Sequence, residues 1–438
     1  MANAGMSDSA ESQRPRVAVL YSHASPASCE GEHSAKYIGL CMAASGHCEK
    51  VSVVGLDPSQ KQNDAKSSNA TNAAASKARR SDGLVIEAQK LGVELYEETL
   101  AYQALAKCHV WVLLLDADAT ATSMQFLQKR VKKADSKQHK RIVVSLQTAL
   151  RQLAQLDHGF ADSVVLHGGL GFQVVKDDTE VLAPLSQGCY YIERLPYVLL
   201  KEKTEALFML DVLEGTGLQV LSRRNIQSLK WGTTMLRTFY YINALTGESV
   251  ETSLRDRNLR LLYLEALYEM STLFEQVMAS NQLASNSGSQ GKNSSWSPDT
   301  IACTYLSVHA IMVLLPLPDV LFHLILKFID FGLHRTSSTT SVTTNDLEAN
   351  LATSFTAEFK DVFELASNRS MFLPVLGFLK TTLEATAEAK AGVPRIASRV
   401  MRSKVTLSPQ SRAASRLFLL KLIVTIIATI LLGAYLFR

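Results

Sequence analysis

No Cys-x-x-Cys pair occurs anywhere in the chain, and its six cysteines (Cys29, Cys41, Cys48, Cys108, Cys189 and Cys303) lie scattered. That spacing excludes a zinc ribbon or a thioredoxin-type redox motif. A chain of 438 residues needs no disulfide staples, so the cysteines read as reduced thiols. His23, His33 and His47 have no carboxylate at ligand spacing, and no metal is expected. The adjacent Ser22 and His23 lack the third group and the oxyanion donors that a nucleophile and base require. The N-terminus has no apolar run, which argues against a secretory signal, and Asp8 and Glu11 interrupt any Arg-rich presequence. The net charge is only +4 and no basic–aromatic signature is present, so no nucleic acid is expected as a partner. Acidic residues are also missing after Glu388, while Lys390, Arg395, Arg399, Arg402, Lys404, Arg412 and Arg416 accumulate there.

Beyond that basic stretch lies the longest apolar run in the chain, LFLLKLIVTIIATILLGAYLF over 417–437. Roughly 20 helical residues rise about 30 Å, enough to cross a bilayer's hydrocarbon core. Lys421 can snorkel to the headgroups, and Arg416 and Arg438 flank the two faces. The basic linker 401–416 should hold the bulk of the chain on the cytosolic side. The expectation is a single-pass tail anchor, with the mitochondrial outer membrane or peroxisome favoured over the endoplasmic reticulum. A second apolar stretch, Tyr305 to Phe331, contains Pro316, Pro318, Asp319, His323 and Lys327. Each is costly at mid-bilayer, so two core helices meeting at the proline pair are expected instead.

Between residues 15 and 205, short Val-rich runs alternate with helical stretches. Arg16–Tyr21, Lys50–Leu56, Gly83–Ile86, Val110–Leu115, Arg141–Leu146 and Ser163–Leu166 read as strands, and Ser34–Ser45 as a helix. Such alternation predicts a parallel sheet with right-handed crossovers. Residues 1–14 read as a disordered N-terminus and 58–80 as an inserted flexible loop. From 206 to 400 the pattern is helical. Leu254–Met278 is one amphipathic stretch, and 280–299 and 335–346 are polar low-complexity loops. The basic run Lys129–Arg141 reads as a solvated helix end.

Three segments resemble the ketopantoate reductase (2-dehydropantoate 2-reductase) family. They are SLQTAL (Ser145–Leu150), LHGGLGFQV (Leu166–Val174) and NIQSLKW followed by INALTGESV (Asn225–Val250). Across residues 15–400 the resemblance implies an α/β Rossmann-like N-terminal domain that binds NADP. An all-α C-terminal domain of the 6-phosphogluconate-dehydrogenase type would follow it. The family's functional positions are nevertheless differently filled. Its glycine-rich turn corresponds to Tyr21–His33, where Gly31 is the sole glycine. A lysine at the end of the fourth strand corresponds to Asp116, and the asparagine of its LQNG turn to Thr148. Its general-acid lysine and following asparagine fall on Thr233 and Arg237, or on Met235 and Phe239 if the register slips by two. Ser354 and Glu358 resemble half of a later motif, and Met371 stands where that motif has its substrate-binding glutamate. Glu269 fits a glutamate of the family's long helix.

A reductase of this class must protonate an alkoxide as hydride arrives, and neither threonine nor methionine does that near neutral pH. No catalytic residue is therefore assigned, with Glu269, Ser354, Glu358 and Arg237 as polar candidates for a rebuilt site. Ser22, His23, Gly31, Gln147 and Thr148 are candidates for any remaining cofactor contact; Arg79 and Arg80 could meet a 2′-phosphate. The expectation is a catalytically inactive, membrane-anchored binding or scaffold module with protein partners at the membrane and no cofactor. The alternative is an NADPH-dependent reductase with a rebuilt active site.

Overall fold

The computed structural model describes residues 14–22, 29–56, 211–285, 297–327, 342–389 and 395–405, together with most strand and strand-end residues between 77 and 194. The chain divides into two compact units.

The first unit runs to Arg224 and excludes 148–151 and 186–188. Its main sheet has eight strands: β1 (Arg16–Ser22), β2 (Lys50–Leu56), β5 (Glu94–Tyr96), β6 (Val110–Leu114), β7 (Ile142–Ser145), β8 (Val164–Leu170), β11 (Tyr190–Glu193) and β12 (Val220–Arg223). They lie in the order β12-β11-β8-β7-β6-β1-β2-β5. The six from β5 to β8 are mutually parallel. Taken in chain order they stand 3-2-1-4-5-6 across the sheet, the doubly wound arrangement whose order reverses between β1 and β6. β11 joins antiparallel to β8, and β12 parallel to β11.

Both faces of this sheet are covered, as a parallel sheet requires. On one face Val17, Val19 and Tyr21 pack with Tyr37, Ile38 and Met42 of α1 (Cys29–Ala44). On the other, Ala18, Leu20 and Leu113 pack with Trp111, Leu156 and Phe160. A smaller sheet, β4-β3-β10-β9, is built from β3 (Lys77–Arg79), β4 (Val85–Glu87), β9 (Val174–Lys176) and β10 (Val181–Pro184). Its Ala78, Ile86, Val174 and Leu182 join the same cluster as α1, so that helix is lined by apolar side chains of both sheets.

Several sequence expectations change here. Lys77–Arg79, assigned to the 58–80 loop, is a strand because it pairs with β4 and β10. The Gly83–Ile86 run contributes β4 to the small sheet rather than to the parallel one. The first unit also continues past 205, because β12 completes the main sheet.

The second unit takes Asn225 onward, with 148–151 and 186–188. After α2 (Ala88–Leu91) in the first unit, its helices are α3 (Ile226–Ala244), α4 (Val250–Arg255), α5 (Arg257–Ser285), α6 (Val308–Leu314), α7 (Asp319–Leu326), α8 (Val342–Ser367), α9 (Pro374–Ala389) and α10 (Ser398–Lys404). Asn225 caps α3 by accepting from Ser228 N–H at 3.1 Å. The expected single helix across Leu254 breaks at Asp256, whose extended backbone ends α4. The Tyr305–Phe331 stretch is divided as expected into α6 and α7, on either side of Leu315–Pro318. Helix α5 runs to Ser285 and α8 begins at Val342, each trimming an expected loop. The helical unit passes its expected end at 400, since Met401 and Val405 are buried in its core. Among the described residues, no helix is long and apolar enough to cross a membrane; residues 417–437 lie outside them.

Candidate functional site

In the first unit the informative place is the carboxyl edge of the parallel sheet, where β1 and β6 diverge. Ser22 ends β1 and is fully buried, and Gln147, also buried, follows β7 by two residues. With β6 between them, these positions stand two strand spacings apart, roughly 10 Å. Gly31 lies in the first turn of α1, and a Cβ there would sit 3.3 Å from the Leu114 carbonyl oxygen. Its bareness thus lets α1 approach the end of β6, a helix–strand packing role. Tyr21 is buried, and its ring is 3.0 Å from where a Gly55 side chain would begin, so the phenol covers the end of β2. The described residues therefore supply one close-packing glycine and a bulky ring, but no glycine-lined cradle for a pyrophosphate. His23, Asp116 and Thr148 lie outside the described residues.

The LHGGLG segment has a packing explanation. A Cβ on Gly168 would fall 2.3 Å from the Tyr191 carbonyl oxygen, and one on Gly169 would meet the Tyr191 hydroxyl. Both glycines serve the antiparallel seam between β8 and β11.

In the helical unit the polar candidates separate into distinct structural roles. Arg237 of α3 and Glu358 of α8 form an ion pair at 3.0 Å, with side chains 9% and 6% exposed. Glu358 Oε1 has no aligned hydrogen bond, so this contact is electrostatic. Its other oxygen, Oε2, accepts from the Tyr241 hydroxyl at 2.7 Å. Tyr241 in turn packs edge-on against Phe355 and Phe359. The structure thus brings together Arg237 and Glu358, and completes them with a tyrosine that sequence reasoning passed over.

Glu269 of α5 does different work. Its carboxylate accepts from Val375 N–H at 2.6 Å and Leu376 N–H at 3.2 Å, closing the first turn of α9. Burial pushes its carboxyl up to about 8, against the opposing pull of those two backbone donors. Thr233 is buried with its hydroxyl 3.8 Å from the Cys303 sulfur, and burial raises that thiol to about 11. Met235 and Phe239, the alternative-register positions, are core residues. Met371 packs at the edge of the same core, and Ser354 is half-buried on α8.

One ionisable group was missed altogether. Lys230, immediately before Trp231 on α3, is fully enclosed. Burial drives its ammonium down to about 7, while the charge of Asp361 on α8 pulls the other way. Asp361 also accepts from Leu150 N–H at 2.6 Å, and Gln227 donates to the Leu150 carbonyl at 3.0 Å. A lysine and an aspartate set among buried apolar positions on two helices were the available signal. Neither matched a family position, so neither stood out. Among the described residues no cluster of His, Cys, Asp and Glu could hold a metal.

No protein-family model matches the chain, and no curated protein matches it by sequence. Solved structures do match. D-mandelate dehydrogenase with NADH and anilino(oxo)acetate is 13% identical with a TM-score of 0.53, covering 85% of this chain and 99% of that one. A PanE/ApbA family ketopantoate reductase from Ralstonia eutropha JMP134 is 13% identical with a TM-score of 0.51, covering 86% and 99%.

The chain has the ketopantoate reductase fold.

A second D-mandelate dehydrogenase structure, in complex with NADH, is 12% identical at a TM-score of 0.52. At such identities the likeness extends to the fold and not to the chemistry. The ketopantoate reductase fold therefore sets the frame, and this chain's own side chains must carry any functional reading.

Proposed function

We propose that this ketopantoate-reductase-fold chain is a binding or scaffold module, held on the cytosolic face of a membrane by residues 417–437. In this reading it does not work as a reductase. The observation that carries the reading is the engagement of the polar residues nearest to the family's functional positions. Arg237 and Glu358 neutralise one another, with Tyr241 on the second carboxylate oxygen. Glu269 holds the start of α9. Buried polar groups committed in this way, the Arg237–Glu358 charges above all, are costly to redirect toward a substrate. Tyr21 lying over Gly55 further supports the absence of a resident dinucleotide.

The membrane half of the proposal rests on the apolar run 417–437 and the acid-free basic stretch before it. The mitochondrial outer membrane or the peroxisome is the proposed address, with membrane-surface proteins as partners.

A reductase with a rebuilt site is the second reading. It is favoured by the 3-2-1-4-5-6 strand order and by a buried lysine brought near neutrality on α3. Titrating the full-length protein in detergent with NADPH, followed by calorimetry, separates the two. Absence of saturable binding at millimolar cofactor is expected. Micromolar binding would overturn the scaffold reading and call for a screen of carbonyl substrates.

A further inference from the structure

The second unit carries an apolar surface that its own core does not use. Helix α7 buries Phe322 and Leu326 but leaves Val320 86%, Leu321 39% and Leu324 54% exposed. Positions 320, 321 and 324 fall on one side of a helix, so these residues form a contiguous outward face. That face is firmly held. Arg260, fully buried, donates to the carbonyls of Leu254, Arg255, Leu315 and Leu317 at 2.9–3.0 Å and to the Asp319 carboxylate at 2.6 Å. Its guanidinium also lies 4.2 Å over the Phe322 ring.

The joint between α4 and α5 that receives α7 also receives the last described helix. Ser398, at the start of α10, donates to Asp256 at 2.5 Å, and Ile396 N–H donates to the Leu245 carbonyl at 2.8 Å. His323 of α7 stands 3.4 Å from the Arg255 carbonyl. Helix α10 adds an exposed Val400. Arg257 at the start of α5, Lys327 at the end of α7, Arg395 just before α10, and Arg399 and Lys404 on α10 are exposed. Of the nearby acidic groups, Glu251 pairs with Arg255, Asp256 accepts from Ser398 and Asp319 pairs with Arg260, while Glu248 is exposed next to Gly247, which lies against Arg395. The corner therefore presents apolar side chains with an excess of exposed basic over acidic residues on the elements that meet there.

We infer that this corner, α7 with the start of α10, is a peripheral contact for an anionic lipid surface. Apolar side chains enter the headgroup boundary while Lys and Arg meet lipid phosphates and carboxylates. The inference rests on the tail-anchor reading in one respect. Residues 406–416 number eleven, and eleven extended residues span at most about 40 Å. A chain anchored at 417 thus keeps Val405 within that distance of the bilayer. The contact would give the module a fixed seating and orientation on the membrane.

The test uses full-length protein in vesicles of phosphatidylcholine, with or without phosphatidylserine, whose acyl chains are brominated near the headgroup. Leu324→Trp is read as a difference from the parent protein. Phe372→Trp is the control: Phe372 is 82% exposed and lies near α9, where Glu269 of α5 binds. Nine residues separate Arg260 from Glu269, so that end is displaced along α5 by about 13 Å. On phosphatidylserine vesicles the Leu324→Trp emission should shift to the blue and be quenched, with Phe372→Trp unaffected. Flotation of the protein without quenching of Leu324→Trp overturns the inference and leaves the anchor standing. Failure to float overturns both. Equal quenching on neutral vesicles overturns the assignment to anionic lipid. Absence of quenching, with Val320→Asp converting a dimer to a monomer, would overturn lipid in favour of a second copy.

Discussion

Removing the Arg237 guanidinium while leaving its partner in place tests whether the buried Arg237–Glu358 pair is committed to the fold. At 3.0 Å, and at an effective dielectric near 20, the pair's gross attraction is about 5 kcal/mol. Desolvation of both ions offsets much of that, so the net worth of the intact pair is small. Breaking it is another matter, because Arg237→Met leaves a carboxylate only 6% exposed without the cation that balances it. The expected loss is about 3–5 kcal/mol. Adding Glu358→Gln should recover part of it, since the glutamine keeps a Tyr241 contact without the charge; a coupling of about 2 kcal/mol is expected. Hydrogen exchange read by mass spectrometry over α3 and α8 measures this as local opening. It does not require a two-unit chain to unfold in one step. If Arg237→Met costs less than about 1 kcal/mol, as exposed pairs do, or if the two changes are additive, the reasoning is refuted. Arg237 and Glu358 would then be available for a ligand, and the scaffold reading would lose its main support.

Two pH effects arise from buried groups. Lys230, lowered from 10.5 to about 7, has given up its proton in the folded state across a window where the unfolded chain still holds it. Stability should therefore rise between about pH 7 and 10.5, by a total of about 5 kcal/mol at the upper bound. Lys230→Met should lack that rise and melt higher than the parent at pH 7, with the gap closing by pH 9.5; a constant gap in scanning fluorimetry would refute it. Glu269 behaves in the opposite sense. With its carboxyl raised from 4.5 to about 8, the folded state retains a proton that the unfolded state has lost, so stability falls as pH rises through that window. Glu269→Gln should flatten this dependence in the same melting series, and an unchanged slope would exclude Glu269 as its source.

Legibility in the sequence followed the range of the interactions. β1 and β2 were readable almost to the residue, because a strand covered on both faces must be a short, continuous apolar run. The division of Tyr305–Phe331 was readable because proline acts on its own backbone. The anchor, too, is a one-dimensional property of length and hydropathy, and the sequence alone carries that proposal. Lys77–Arg79, Glu94–Tyr96 and Val220–Arg223 were missed because three- or four-residue strands are defined by their partners and not by any pattern of their own. The same limit governed the site. The family resemblance singled out Arg237, Glu269 and Glu358 as polar residues in a helical unit. Only the packing of α3, α5, α8 and α9 decided that two of them neutralise each other and the third closes a helix. Lys230 and Asp361 escaped notice because a charge's meaning depends on burial, and burial is set by neighbours more than a hundred residues away.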